Sequence, residues 1–98
     1  MADNTQRPWL ANYPQGVPAE ISTDDCPSLV AMFERSCARY ARRPAFSSFG
    51  VSMSYAELDR LSARFAAWLT GALKLGKGER VAIMLPNLLQ YPVALFGT

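Results

Sequence analysis

The chain has 98 residues, half of them hydrophobic and 18% charged, with a formal net charge of +2 and no histidine. This globular profile excludes a disordered chain, and the lack of histidine excludes His-based metal sites and His-based catalytic triads. The charge is uneven, with Arg7 against Asp3, Glu20, Asp24 and Asp25 in residues 1–27 and nine Lys/Arg against four acids in residues 28–98, a mild basicity without interleaved aromatic pairs that falls short of a nucleic-acid footprint.

Residues 1–27 contain Pro8, Pro14, Pro18 and Pro27 with Gly16. Proline lacks an amide donor and biases the residue before it towards extended conformations, so this segment is expected to be irregular. It has no apolar core of the kind a secretion signal needs. Trp9, Leu10, Tyr13, Val17 and Ile21 supply anchors instead, and the segment reads as an arm laid over a larger body.

In DDCPSLVAMFERSCARYARRP, Leu29, Phe33, Cys37 and Tyr40 recur at helical spacing, which predicts a helix near 28–42. Asp24 and Asp25 suit its N-terminal end, Arg35, Arg39 and Arg42 mark the opposite face and its C-terminal end, and Pro44 stops it. A solvated face that complements the helix dipole accounts for the arginines better than a phosphate or acidic-lipid contact does. Cys26 and Cys37 form no CxxC pair, and two cysteines are no disulfide framework, so a reducing cytoplasm is the default.

Residues 45–54, AFSSFGVSMS, alternate around Gly50 and predict a hairpin. Ser54 and Glu57 then form an S-x-x-E capping box, opening a helix near 55–73 whose apolar face is Leu58, Leu61, Phe65, Trp68 and Leu69. LGKGER (75–80) sets a lysine between two glycines ahead of an apolar run. A phosphate loop would place Lys-Ser/Thr at the opening of a helix, so this is read as a helix-to-strand connection. RVAIML predicts a buried strand near 80–85. Pro86–Asn87 ends it, with Asn87 as the expected cap and Gln90 as a second capping-box residue for an apolar helix near 89–97, settling only around Gln90 or Tyr91 because of Pro92. No apolar run reaches the ~18 residues of a membrane span. Phe33, Phe46, Leu58, Leu61, Phe65, Leu69, Val81 and Ile83 are expected to form the local core. The order of elements is half of an alternating α/β pattern that builds parallel sheets, and the apolar helix is still running at residue 98. The chain therefore reads as the front end of something larger.

WLANYPQGVPAEI, SLVAMFERSCARYARRPAF, SYAELDRLSARFAAWL and GERVAIMLPNLLQYPVALFG, in this order, resemble the opening of bacterial long-chain fatty-acid–CoA ligases, members of the AMP-forming adenylate superfamily. Y-x-E-L at Tyr55–Leu58 and G-x-R-V-A-I-M-L-P-N at Gly78–Asn87 are superfamily-wide features, while NLLQYPVALFG with the YPQGVPAEI arm points to the fatty-acyl branch. The resemblance implies an α/β fold in which residues 1–27 are an extended N-terminal arm and residues 28–98 start the large AMP-binding domain, incomplete on its own. It implies an enzyme that joins a fatty acid to ATP as an acyl-adenylate, releasing pyrophosphate, and then transfers the acyl group to CoA, releasing AMP. ATP, Mg²⁺ and CoA would serve the parent enzyme. The Ser/Thr/Gly-rich loop, the Y-G-x-T-E motif and the adenylating lysine are missing from these residues, so the resemblance assigns no catalytic, cofactor-binding or metal residue here, and the segment alone is expected to be inactive scaffold. Its partners would be the rest of the ligase chain and the fatty acid, with no nucleic acid. A cytoplasmic enzyme with a peripheral contact to the inner membrane face, and a homodimer, are compatible with it. Two alternatives stay open: a ligase of the same superfamily for another carboxylic acid, and a stand-alone interaction module.

Overall fold

A computed structural model of the chain describes residues 7–98; the first six residues of the expected arm lie outside it. Pro8 opens a single 3-10 turn, Pro8–Asn12, and Arg7 pairs with Glu20 across the arm. Of the arm's anchors Leu10 is half-buried, Trp9, Tyr13 and Val17 are exposed, and Ile21 is 84% so.

Three helices and a two-stranded antiparallel sheet follow, an α/β arrangement. Helix α1, Leu29–Arg39, starts at Ser28, whose hydroxyl accepts the Ala31 N–H at 3.1 Å. Strands β1, Pro44–Ser48, and β2, Val51–Ser54, pair with Phe46 opposite Met53 and Ser48 opposite Val51, and an irregularity falls between Pro44 and Phe46. The two-residue turn puts Phe49 at φ 50° and Gly50 at φ 78°, the left-handed pair that matches the twist of a tight hairpin. Helix α2, Tyr55–Gly71, carries the complete capping box: the Ser54 hydroxyl accepts the Glu57 N–H at 3.1 Å, and the Glu57 carboxylate accepts the Ser54 N–H at 2.9 Å. Tyr55 is thus the first helical residue. Helix α3 spans Gln90–Gly97.

The core is small and lies under α2. Its inner stripe, Leu58, Ser62, Phe65 and Leu69, follows helical spacing. Leu58 is 1% exposed, and Cys37 of α1 and Met53 of β2 are buried against the same layer. Phe33 of α1 stacks on Phe96 of α3, with centroids 4.3 Å apart and planes 11° from parallel. Of the residues expected in the core, Leu58 and Leu69 are buried, Phe33, Leu61, Phe65, Val81 and Ile83 are half-buried, and Phe46 is 42% exposed. Met53, its cross-strand neighbour, is buried instead, at 8% exposure.

Two further expectations are corrected. Residues 80–85 form no strand. Burial alternates along Val81, Ala82, Ile83 and Met84 as in a strand, but no ladder partner lies beside them among the described residues, and a strand exists only as one member of a pair. Asn87 does not cap α3: Leu89 occupies that position, without a side-chain hydrogen bond. The late start at Gln90 does follow the expectation from Pro92. The Cα radius of gyration is 18.1 Å, against about 13 Å for a compact chain of this length, so much apolar surface stays open, with Met84 95% exposed.

Candidate functional site

The sequence assigns no catalytic or binding residue, so the question for the structure is which side chains it gathers. Among the described residues no group of three His, Cys, Asp or Glu side chains could hold a metal ion.

Two open cavities lie where the hairpin meets the start of α3, and a third lies beside the C-terminal half of α2. One of about 260 Å³ lies between β1 and the Asn87–Pro92 segment, where the Ser48 hydroxyl donates to the Asn87 carbonyl at 3.4 Å. A second, of about 360 Å³, is lined by Met53, Leu61, Leu89, Gln90 and Val93. Neither is lined by a carboxylate, a cationic side chain or a cysteine, and the Tyr91 phenol in the first is the one ionisable group between them, so both suit apolar groups. The third, about 350 Å³, is bounded by α2, the 75–79 loop and Gly97. Here the Gly76 N–H donates to the Glu79 carboxylate, and the Glu79 N–H returns to the Gly76 carbonyl at 3.2 Å. The amide that a phosphate would claim is already taken by a carboxylate of the same loop, which supports reading LGKGER as a connection.

Perturbed titratable groups are few and are structural. Glu57 is held below the usual carboxylate range because it accepts hydrogen bonds from the Ser54 backbone and hydroxyl. Burial, assisted by the charge of Asp59, pushes the Cys37 thiol up, which keeps it protonated and unreactive.

Helices α2 and α3 cross very closely. A Cβ on Gly97 would lie 2.8 Å from the Ser62 carbonyl oxygen and 2.8 Å from Phe65 Cδ1. Ser62 is buried yet satisfied, its hydroxyl donating to the Asp59 carbonyl at 3.0 Å. Glycine against serine is what lets α3 sit down on the stripe and bring Phe96 onto Phe33.

One grouping escapes the periodicity of the sequence. The Arg39 and Arg43 guanidinia stand 5.4 and 5.3 Å from the centroid of the Tyr40 ring. Helical spacing counts Arg39 as outward and Tyr40 as inward; the signal that could have joined them is the RYARR string itself, an aromatic set between arginines.

The AMP-binding enzyme family matches residues 33–98. A long-chain-fatty-acid–CoA ligase of Escherichia coli O6:H1 is 57% identical over 89 residues, covering 91% of this chain and 16% of its own length. A ligase of the same name from Yersinia pestis is 52% identical over 92 residues, covering 94% of this chain, and one from Bacillus subtilis is 33% identical over 93 residues, covering 95%. This chain spans 16% of the length of each of these relatives. No solved structure matches it.

Proposed function

Because this chain belongs to the AMP-binding enzyme family, we propose that it forms the first part of the large domain of a long-chain fatty-acid–CoA ligase. Residues 28–98 are the opening of that domain and residues 1–27 an arm that lies over the rest of it. The observation that carries this reading is the reach of the likeness. The family match begins at residue 33, but the 57% identity covers 91% of the chain and so extends well into the arm, beyond the part shared by the whole family.

In such a ligase a fatty-acid carboxylate attacks the α-phosphate of ATP, giving an acyl-adenylate and pyrophosphate, and the thiol of CoA then displaces AMP. Preorganised donors and Mg²⁺ offset the charge of the phosphates. The reading assigns none of the metal's ligands to this segment. Its role is scaffold: α2 and α3, locked at Gly97, present the 80–89 stretch and the hairpin cavities to apolar elements of the remaining domain. The working enzyme is cytoplasmic and meets the inner membrane face peripherally, where long-chain acids partition, and a homodimer is compatible with the open surface.

The test is a graft. The E. coli ligase carrying this segment in place of its own should retain palmitate-, ATP- and CoA-dependent pyrophosphate release, while the 98-residue chain alone stays at background. An inactive but folded graft, or activity from the chain alone, would overturn the scaffold role. A panel of acids given to the intact polypeptide that carries this segment separates a long-chain ligase from one for short or aryl acids.

A further inference from the structure

The outer face of α1 carries opposite charges at its two ends. At about 100° per residue, Arg35 and Arg39 stand roughly 160–200° around the helix axis from buried Cys37, and Met32, 43% exposed, lies beside them. Arg42 and Arg43 follow in a turn that α2 holds: the Tyr55 and Ala56 N–H groups donate to the Arg43 and Ala41 carbonyls, each at 3.0 Å. Asp24 and Asp25 precede the helix. Asp24 is set by Ser22, whose hydroxyl donates to its carboxylate at 3.1 Å and accepts its N–H at 3.3 Å. Arg35 donates to the Asp25 carbonyl at 3.2 Å, which places this acidic segment beside the same outer face. These arginines and aspartates are all exposed. None is paired, the one ion pair among the described residues being Arg7–Glu20. Helix α1 is about 16 Å long, so Asp24 and Asp25 stand a helix length away from Arg39 and Arg42.

We propose that this face is the contact between two copies of the chain, each α1 packing antiparallel to its counterpart across a two-fold axis. The proposal deepens the homodimer included in the ligase reading and rests on that reading for the polypeptide in which the segment works. Self-complementarity selects the partner. A two-fold axis that brings residue i of one copy to residue j of the other also brings j to i. An antiparallel pair therefore sets the Asp24–Asp25 end of each copy against the Arg39–Arg42 end of the other, so the charge match is made twice. With Asp25 opposite Arg39, the axis passes through Met32, and the two exposed thioethers meet as an adaptable apolar contact. Leu29, 76% exposed, then falls opposite the aliphatic stem of Arg35. An apolar centre between charged flanks is the usual anatomy of a protein interface. A parallel pairing would set arginine on arginine, and a polyanion laid along the same face would meet Asp24 and Asp25 as well as the arginines.

The test is sedimentation equilibrium of the intact polypeptide that carries this segment. The parent should be a dimer that weakens as salt is raised, because exposed charges are screened as the Debye length shortens. The variants D24K/D25K and R39E/R42E each set like charges against one another in both halves of the contact, and each should weaken the dimer by on the order of a hundredfold. Mixed together, the two variants bring opposite charges face to face again and should form a heterodimer. The fourfold variant D24K/D25K/R39E/R42E, with its charges exchanged end for end, should dimerise like the parent, which separates a charge effect from a folding defect. A monomeric parent, a dimer indifferent to either reversal, or reversal variants that fail to pair with each other would each overturn the proposal. Pyrophosphate release with palmitate, ATP and CoA, measured on the same samples, tells the two readings apart. A monomeric parent that turns over palmitate ends the dimer and leaves the ligase standing, and a dimer that obeys the charge exchange without turnover does the opposite.

Discussion

Gly97 offers the sharpest test of the packing, because the chain contains its own control. A methyl group at Gly97 meets the Ser62 carbonyl oxygen and Phe65 Cδ1, both at 2.8 Å, and one of these neighbours is backbone. Relief requires α3 to back away from α2 by about half an ångström, and overpacking of this kind costs ~1–3 kcal/mol. Alanine returns part of that through helix propensity, up to ~1 kcal/mol and less at a helix end. The net expectation for Gly97→Ala is a loss of ~1–2 kcal/mol. Gly71, the last residue of α2, has nothing within 4 Å of the same added atom and no positive φ, so Gly71→Ala should be neutral or stabilise by up to ~1 kcal/mol. Amide hydrogen exchange in the intact polypeptide reads the difference locally. With about 1.4 kcal/mol to a factor of ten, the amides of α3 and of the facing turns of α2 should exchange roughly 5–30-fold faster in Gly97→Ala and no faster in Gly71→Ala. Equal protection in the two variants would show that the helices do not touch at this crossing.

Ser54→Ala should cost ~0.5–2 kcal/mol, the usual worth of an N-cap, read as a shift in denaturant midpoint. The pH dependence has a definite sign: the Glu57 pKa is depressed in the fold, so its contribution is complete above the ordinary glutamate range and is lost as pH falls through the lowered value; Ser54→Ala should flatten that acid limb. Leu58→Ala, at a site 1% exposed, should cost ~2–5 kcal/mol, whereas Phe46→Ala, expected from sequence to matter as much, should cost ~1 kcal/mol or less; equal midpoints for the two variants would contradict the burial described.

The helices and the hairpin were legible because their signals are local. The Ser54–Glu57 box appears where expected; α1 ends at Arg39, before the Pro44 stop, and of the expected face on α2 Leu58 and Leu69 are buried while Trp68 is exposed and Ser62 takes a buried place in the stripe. The cap of α1 is of the same local kind: Asp24 and Asp25 precede the helix, and Ser28, three residues before Ala31, accepts its amide. What sequence could not show depends on partners distant in the chain. Val81–Leu85 has the composition of a buried strand, yet nothing in those residues supplies a neighbour. Phe46 has the alternation of a core residue, yet Met53, opposite it across the hairpin, is the one that is buried. At Gly97 a glycine near a helix end reads as a stop signal, and only its contact with Ser62 and Phe65 reveals a crossing. The Arg39–Tyr40–Arg43 grouping lies between these cases. Its residues are adjacent in sequence, but their collection by Tyr40 depends on the turn that α2 holds in place.

The unladdered stretch at 80–85 also has a consequence in time. Everything before it closes over short distances along the chain, as when the Tyr55 amide finds the Arg43 carbonyl, and such contacts form early. The apolar run cannot finish in this way. In relatives about six times this length, made at about 5–20 residues per second, the ribosome needs seconds to deliver each later element that could cover it. During that interval the nascent chain carries a finished helical clamp and an uncovered apolar edge, and the edge is where a chaperone gains its hold or a neighbouring nascent chain mispairs.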